Sequence, residues 1–197
     1  GASNSAFGAG ALSANTTAAN NTAVGFSALG ANTTGTRNTA VGANAGDAIT
    51  TASYNSLFGT HAGSGITTGE VNCAFGDYAL VANTTASYNS AFGQAALTAN
   101  TTGASNTAVG YAALLSNTTG GNNVAVGISA GTAITTGSHN HCFGDFAGEK
   151  LTTGSSNVLI GRLSGAHNIY LATGSNNTLI GALTDTTAAG TDYANVI

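Results

Sequence analysis

"NTAVGFSALGANTTGTR", residues 21–37, is followed at once by "NTAVGANAGDAITTASY". Both segments open with the same five letters and carry a Thr-Thr pair near the end. They differ in one organised way, because the first has Leu29 and then Asn32 whereas the second has Gly46 and then Ile49. Protein interiors are close-packed. Each segment has one large aliphatic residue at one of these two places, Leu29 in the first and Ile49 in the second. This exchange predicts a repeated unit whose filled interior has a fixed volume.

The repeat runs along the whole chain. Aligned on an Asn that is followed four residues later by a Gly, the copies start every 17 residues, and the eleventh starts after a step of 20. The starts are Asn4, Asn21, Asn38, Asn55, Asn72, Asn89, Asn106, Asn123, Asn140, Asn157 and Asn177. A fixed period of this kind is typical of a solenoid, and positions one to seventeen are counted below from that Asn. Asn195 resembles the start of a twelfth copy and both ends fall mid-turn, so we expect one repeat domain of about eleven turns over residues 1–197, cut from a longer fibre.

The letters favour short strands, because the recurring glycines and Thr pairs would make poor helices. Position three is always apolar and mostly Ala, and position four is always large and apolar. The position-four residues are Phe7, Val24, Val41, Phe58, Phe75, Phe92, Val109, Val126, Phe143, Ile160 and Ile180. Successive strand residues point to opposite faces, so one apolar face lines the coil and the other predicts cover by a partner chain. We therefore predict an all-β fold, a parallel β-solenoid (β-roll or β-helix) of 17-residue turns that forms a parallel homotrimer.

Positions nine and twelve exchange their residues throughout the chain. Leu12, Leu29, Leu80, Leu97 and Leu114 stand at position nine with Asn at position twelve, whereas Gly46, Gly63, Gly131, Gly148 and Gly165 pair with Ile49, Ile66, Ile134, Leu151 and Leu171. We expect the two side chains to reach one shared pocket. The Asn at position one is expected to take left-handed backbone and to bond its neighbours in the stack. The Thr pairs are expected to form ladders along one edge.

Composition excludes several classes of function. Only 5% of residues are charged, and the net charge is −4 with three Lys and Arg in total, which argues against nucleic acid as a partner. No apolar run approaches the length of a membrane span. Cys73 and Cys142 fall four turns apart, too far for a disulfide, and are expected to be small buried hydrophobes. Carboxylates are scarce and form no triad with His and Ser, so the sequence predicts a protein that is not an enzyme.

The motifs "NTAVGxxAL…NTTG" and "NTAVGxxAG…ITTG" resemble the repeats of phage tail-fibre-like proteins and of bacterial surface fibres. They are more distantly similar to the head of trimeric autotransporter adhesins, although the repeat here is 17 residues rather than shorter. The resemblance implies a parallel trimer, a β-roll or β-helix shaft, an extracellular or virion location and attachment to a host or neighbouring cell surface. It also implies a role for the His139 and His141 pair, because some phage fibres place such pairs on a threefold axis, where three chains bind one transition metal. Apart from that metal, no cofactor is expected.

Two functions remain open, a structural shaft that presents an attachment tip and a shaft whose own surface is an adhesin for glycan or protein. The candidate binding residues on the variable positions are Tyr54, Tyr88, Tyr111 and Phe26. Alternatively, each of these aromatic residues reflects ordinary surface variation or is buried between chains. The alternative for the His pair is that it lies in an exposed turn and binds no metal. Ice binding by the Thr pairs is weaker, because adjacent Thr side chains point to opposite sides.

Overall fold

The computed structural model describes residues 1–166 and 171–184. They form one continuous coil in which short strands alternate with bends. The strands are β1 (Ser5–Phe7), β2 (Thr22–Val24), β3 (Thr39–Val41), β4 (Ser56–Phe58), β5 (Cys73–Phe75), β6 (Ser90–Phe92), β7 (Thr107–Val109), β8 (Val124–Val126), β9 (His141–Phe143), β10 (Val158–Ile160) and β11 (Thr178–Ile180). They form one parallel sheet in sequence order. The predicted all-β solenoid of 17-residue turns is confirmed. The expected twelfth start at Asn195 lies outside the described residues.

Register within the sheet follows the repeat without a slip. Ala23 pairs with Ala40, and Ala40 pairs with Leu57, so each position stacks on the same position of the next turn. The step of 20 residues leaves this register unchanged, because Val158 still pairs with Thr178. β10 and β11 are therefore paired at equal positions of the repeat, like the other strands.

Each three-residue strand points its central residue into the coil and its two outer residues away from it. Ala23, Leu57 and Cys142 at position three are fully buried, whereas position four is half-exposed, with Phe92 at 40%. The two-sided apolar strand that the sequence predicts is thus present. Its outer side has no cover within the described part of the chain.

Positions nine and twelve of one turn share a pocket, as the exchange of leucine and isoleucine predicts. A Cβ on Gly46 would lie 3.1 Å from Cδ1 of Ile49, and a Cβ on Gly63 would lie 2.8 Å from Cδ1 of Ile66. The isoleucine therefore fills the space beside the glycine. Leu151 departs from this arrangement, since its Cδ1 lies against Gly154.

Position three takes part in the same packing. Leu57 lies between the position-nine glycines of two successive turns, and a Cβ on Gly46 or Gly63 would come within 2.6 or 2.8 Å of its δ carbons. Cys142 fills the corresponding space, with its Sγ 2.7 Å from the Cβ position of Gly148. Position three is thus larger than Ala where two such glycines follow one another, and three positions together hold the core volume constant.

The Asn residues at position one form a buried ladder along the coil. Oδ1 of Asn38 accepts a hydrogen bond from the backbone N–H of Asn55 at 3.0 Å, and Nδ2 of Asn38 donates to the carbonyl of Ala52 at 2.8 Å. The same link recurs from Asn4 through Asn177. The expected bonding between neighbours is confirmed, and each link between neutral groups contributes about 1 kcal/mol.

Left-handed backbone lies elsewhere than the sequence suggests. Position one has no positive φ among the described turns, so that expectation for Asn is wrong. The positive φ values fall at positions five, seven, nine and seventeen, for example 134° at Gly25, 50° at Leu29 and 58° at Arg37. Only Gly stands at position five, because a Cβ on Gly25 would come within 2.4 Å of the Gly42 carbonyl oxygen.

Candidate binding surfaces

No cavity opens on the described residues of the coil, so the candidate sites are rows of side chains that repeat once per turn. Rows at positions two and four lie together on the outer side of the sheet, and we call them the strand face. Row two contains Ser5, Thr22, Thr39, Ser56, Cys73, Ser90, Thr107, Val124, His141, Val158 and Thr178. Row four contains the large apolar residues given above. Neither row contains Asp, Glu, Lys or Arg.

Three aromatic rings of the strand face stack along the coil. The Phe58 and Phe75 ring centroids are 4.5 Å apart, and those of Phe75 and Phe92 are 5.1 Å apart, with the planes of each pair tilted by 14° and 15°. Offset-stacked aromatic pairs of this kind contribute about 0.5–1.5 kcal/mol beyond their burial. The stack forms a smooth apolar strip that still faces outward.

The four aromatic residues singled out from the sequence are exposed, but they do not form one cluster. Tyr54 and Tyr88 stand at position seventeen, with 50% and 64% of their surface exposed. Phe26 and Tyr111 stand at position six, five turns apart, with 60% and 55% exposed. Position seventeen precedes the strand and position six follows it. The two pairs therefore border the strand face on opposite sides.

The row at position seventeen, which we call the corner row, carries the more continuous group. Arg37, Tyr54, Val71 and Tyr88 follow one another in four successive turns, all exposed and all with φ between 57° and 63°. Nη1 of Arg37 donates a hydrogen bond to the Tyr54 hydroxyl. The Arg37 guanidinium carbon also lies 5.3 Å from the Tyr54 ring centroid, within reach of a cation–π contact. One backbone conformation thus projects these side chains in one common direction.

The Thr pairs divide into two ladders with different roles. At position thirteen, each Thr hydroxyl donates to the position-thirteen carbonyl of the next turn, as between Thr33 and Thr50 at 3.0 Å. At position fourteen, Thr is exposed in every turn: Thr17, Thr34, Thr51, Thr68, Thr85, Thr102, Thr119, Thr136, Thr153 and Thr173. The predicted ladders are confirmed. Only one of them presents hydroxyls to the outside, so adjacent Thr residues do not build one flat face.

His139 and His141 are both exposed and lie on different rows. His139 stands on the corner row with φ 60°, and His141 stands on row two of the strand face in β9. The buried Asn140 separates them. Within residues 1–166 and 171–184, no three His, Cys, Asp or Glu side chains come together in a way that would hold a metal ion. Within one chain the pair therefore offers at most two imidazole ligands.

The two cysteines are free thiols on different sides of the sheet. Cys142 is fully buried in the core, and this burial raises the pKa of its thiol to about 12. Cys73 faces outward on row two and is only partly buried. The expectation of a small buried hydrophobe is thus confirmed for Cys142 and wrong for Cys73, because position two points away from the core.

A polar cluster that the sequence did not reveal lies at positions seven and ten of turns three to five. His61 Nε2 is 3.2 Å from Asn44 Nδ2, and the His61 ring stacks on Tyr78 with centroids 5.1 Å apart. Partial burial raises the pKa of the nearby Asp47 carboxyl, although its backbone hydrogen bonds and the His61 charge act in the opposite direction. The signal for this cluster is the 17-residue step from His61 to Tyr78, which stacks equal positions.

Two further carboxylates hold the coil together. Oδ1 of Asp77 accepts a hydrogen bond from the backbone N–H of Thr60, and Oδ1 of Asp145 accepts one from Ile128, each at 3.0 Å. Both carboxylates link position six of one turn to position six of the preceding turn. Each carboxylate thus accepts a backbone hydrogen bond from the preceding turn.

The described part of the chain contains no helix with the length and apolar character that a membrane span requires. Comparison of the chain with protein-family models, with curated proteins and with solved structures finds no match.

Proposed function

We propose that this chain is a non-enzymatic shaft segment of a trimeric fibre, extracellular or part of a virion, which holds an attachment tip away from its base. The observation that carries the proposal is the strand face, which has no Asp, Glu, Lys or Arg in any described turn and whose row four is large, apolar and partly exposed throughout. A monomer rarely leaves such a long apolar strip uncovered. Further copies of the same chain supply a cover with the same length and period.

The dimensions of the strand face suit such an assembly. Eleven turns at about 4.8 Å each give a rod roughly 50 Å long. A strip about 10 Å wide then offers roughly 500 Å² per chain and on the order of 1,500 Å² in three chains, which is the size of a specific interface. Parallel, in-register packing places equal layers together, so that the Phe58–Phe75–Phe92 stack meets its own copies.

Sedimentation equilibrium of the full chain tests this proposal. We expect a trimer, and we expect Phe75→Asp to shift it toward monomer because the new charge lies in the middle of the strand face. Phe26→Asp, outside that face, is the matched control and leaves the trimer intact. A folded, soluble monomer of the unaltered chain rules the proposal out.

The same assembly gives the His pair a role. His141 lies on the strand face, and three copies around a threefold axis bring three such imidazoles together, with His139 nearby. We propose a transition metal there. Elemental analysis of the purified trimer checks this, with His141→Thr as the variant that removes the metal, since Thr stands at the same position in Thr22 and Thr39.

The second candidate function is adhesion by the shaft itself to cell-surface glycan or protein. The observation that favours it is the exposure of Tyr54, Tyr88, Tyr111 and Phe26 on rows outside the strand face. Exposed aromatic residues on a rigid support are characteristic of binding surfaces. Cell attachment by the chain alone, compared with the Tyr54→Asn and Tyr88→Asn variants, tests this function. Attachment that equals an unrelated control protein rules it out.

A further inference from the structure

We propose that the corner row binds a β-1,4-linked pyranose chain that lies along the solenoid axis, with one sugar ring over each turn. The site consists of Tyr54, Val71 and Tyr88 in three successive turns, flanked by Glu70 and by the Thr ladder at position fourteen. The inference rests on the second of the two candidate functions, adhesion by the shaft, and names the ligand class for it.

The first observation is the shared geometry of the platform. Tyr54, Val71 and Tyr88 have φ values of 63°, 57° and 63°, so their side chains leave the backbone in the same way. They are 50%, 42% and 64% exposed. Stacked turns place them about 4.8 Å apart, and the two tyrosines are therefore about 9.6 Å apart. With this spacing, the rings of Tyr54 and Tyr88 form a two-ring platform, and the aliphatic side chain of Val71 lies between them.

The second observation is the chemistry of the ligand that matches this spacing. A β-1,4-linked pyranose chain is a flat ribbon whose repeat is two sugars, and the rise of each sugar is close to the rise of one solenoid turn. The axial C–H groups of a pyranose ring carry partial positive charge and pack on the negative face of an aromatic ring. Sugars n and n+2 then lie on Tyr54 and Tyr88, while sugar n+1 lies over Val71.

The third observation is an exposed residue whose identity never changes. Thr stands at position fourteen in ten successive turns, exposed in each, and none of these hydroxyls has a hydrogen bond to another described residue. The core does not require it, and the other exposed positions vary from turn to turn. One free hydroxyl per turn provides one hydrogen-bonding group per sugar of a chain with the same period.

Polar groups around the middle turn complete the site. Glu70 is exposed at position sixteen, and its backbone N–H donates a hydrogen bond to Ser87 Oγ. A carboxylate accepts hydrogen bonds from sugar hydroxyls, and the Thr68 hydroxyl lies in the same turn. Arg37 of the preceding turn donates a hydrogen bond to the Tyr54 hydroxyl, and its guanidinium carbon lies 5.3 Å from the ring centroid. The corner row therefore offers stacking at both ends and hydrogen bonding in the centre.

Isothermal titration calorimetry of the full chain with defined oligosaccharides tests the inference. Cellohexaose and chitohexaose distinguish glucose from N-acetylglucosamine in the ribbon, and maltohexaose, which is α-linked and coiled, is the control ligand. We expect binding of at least one β-1,4-linked hexamer and none of maltohexaose. Affinity should rise sharply between the disaccharide and the trisaccharide, because only three sugars reach from Tyr54 to Tyr88.

Variants at the corner row complete the test. Tyr54→Asn and Tyr88→Asn should each weaken binding about two- to tenfold, the scale of one aromatic stacking contact. They keep the fold, since Asn20 and Asn122 already stand at that position with positive φ. Val71→Tyr should strengthen binding by adding a third ring. Tyr111→Gln, on the far side of the strand face, should leave it unchanged.

Several outcomes overturn the inference. Equal binding of maltohexaose, affinity without a step at three sugars, or unchanged affinity in the tyrosine variants each excludes the proposed pose. If the unaltered chain attaches to cells but binds neither β-1,4-linked hexamer, the inference fails while adhesion by the shaft stands. If it attaches to no cell and binds no oligosaccharide, both fail together.

Discussion

The exchange between positions nine and twelve leads to a quantitative prediction for Leu29 and Asn32. Leu29→Gly removes a fully buried leucine and should cost about 2–5 kcal/mol, even though it relieves a left-handed leucine. Asn32→Ile alone should cost about 1–3 kcal/mol, because Leu29 already fills the shared pocket. The lost hydrogen bond from Asn32 to the Gly35 carbonyl adds little, since that carbonyl also accepts one from Asn21.

The double variant should be far more stable than the sum of its parts. Leu29→Gly with Asn32→Ile recreates the pairing of Gly46 with Ile49, where the isoleucine reaches the Cβ position of the glycine. We expect a residual loss of about 1–2 kcal/mol and a coupling energy of about 3 kcal/mol or more, the upper end for residues in contact. Adding Ala40→Leu should recover the rest, because Leu57 occupies the equivalent place between Gly46 and Gly63.

Equilibrium unfolding in urea, followed by circular dichroism, measures these differences. A matched control combines Leu29→Gly with Asn83→Ile, which lies three turns away and cannot reach the vacated pocket. That pair should be additive within about 0.5 kcal/mol. Additivity in the Leu29 and Asn32 pair as well would refute the shared pocket.

Three more outcomes follow from the core and its charges. Gly76→Ala should lower stability by about 1–3 kcal/mol through backbone strain, because φ at Gly76 is 141°. The added Cβ would also approach the Gly93 carbonyl oxygen to 2.4 Å. Thermal melting measures the loss of stability, and an unchanged melting temperature contradicts the close approach. The raised pKa of Asp47 means that the folded state holds its proton more tightly than the unfolded state, so this carboxyl favours folding at acid pH, and the contribution is lost as pH rises through the folded pKa. Asp47→Asn should therefore raise the melting temperature at pH 7 but not at pH 3, and an equal shift at both pH values would contradict this. A thiol reagent at pH 8 should modify Cys73 and spare Cys142 until urea unfolds the chain, since burial raises the Cys142 pKa to about 12; rapid double modification would show that the core opens.

Much of the fold was predictable, because it follows from packing between equal positions of successive turns. The amino-acid sequence alone indicates the repeat period, the strands, the inward-facing Ala and the exchange of Leu29 for Ile49. The left-handed backbone at position nine was not predictable, because leucine normally resists that conformation. It persists since the turn fixes it through hydrogen bonds, such as that from the Leu29 N–H to the Ala45 carbonyl at 3.0 Å.

The candidate surfaces were predictable only in part. The exposure of Tyr54 and Tyr88 followed from their variable position. Two contacts between turns depend on side-chain rotamers. Arg37 approaches the Tyr54 ring, and Asp77 accepts a hydrogen bond from the backbone N–H of Thr60. The letters of one repeat do not contain that information. The cover of the strand face by further copies stays a prediction.

The three-position packing of the core also guards the chain against misfolding. A chain of identical turns could skip one and stack the next in its place, with every hydrogen bond restored. Here the omission of turn three would bring Leu57 against Leu29, where no glycine makes room, and overpacking of this kind costs about 1–3 kcal/mol. Similar penalties arise wherever the large residue at position three loses its pair of glycines. The sizes of the core residues thus differ from turn to turn, and this difference favours the correct pairing of each strand over a shifted one.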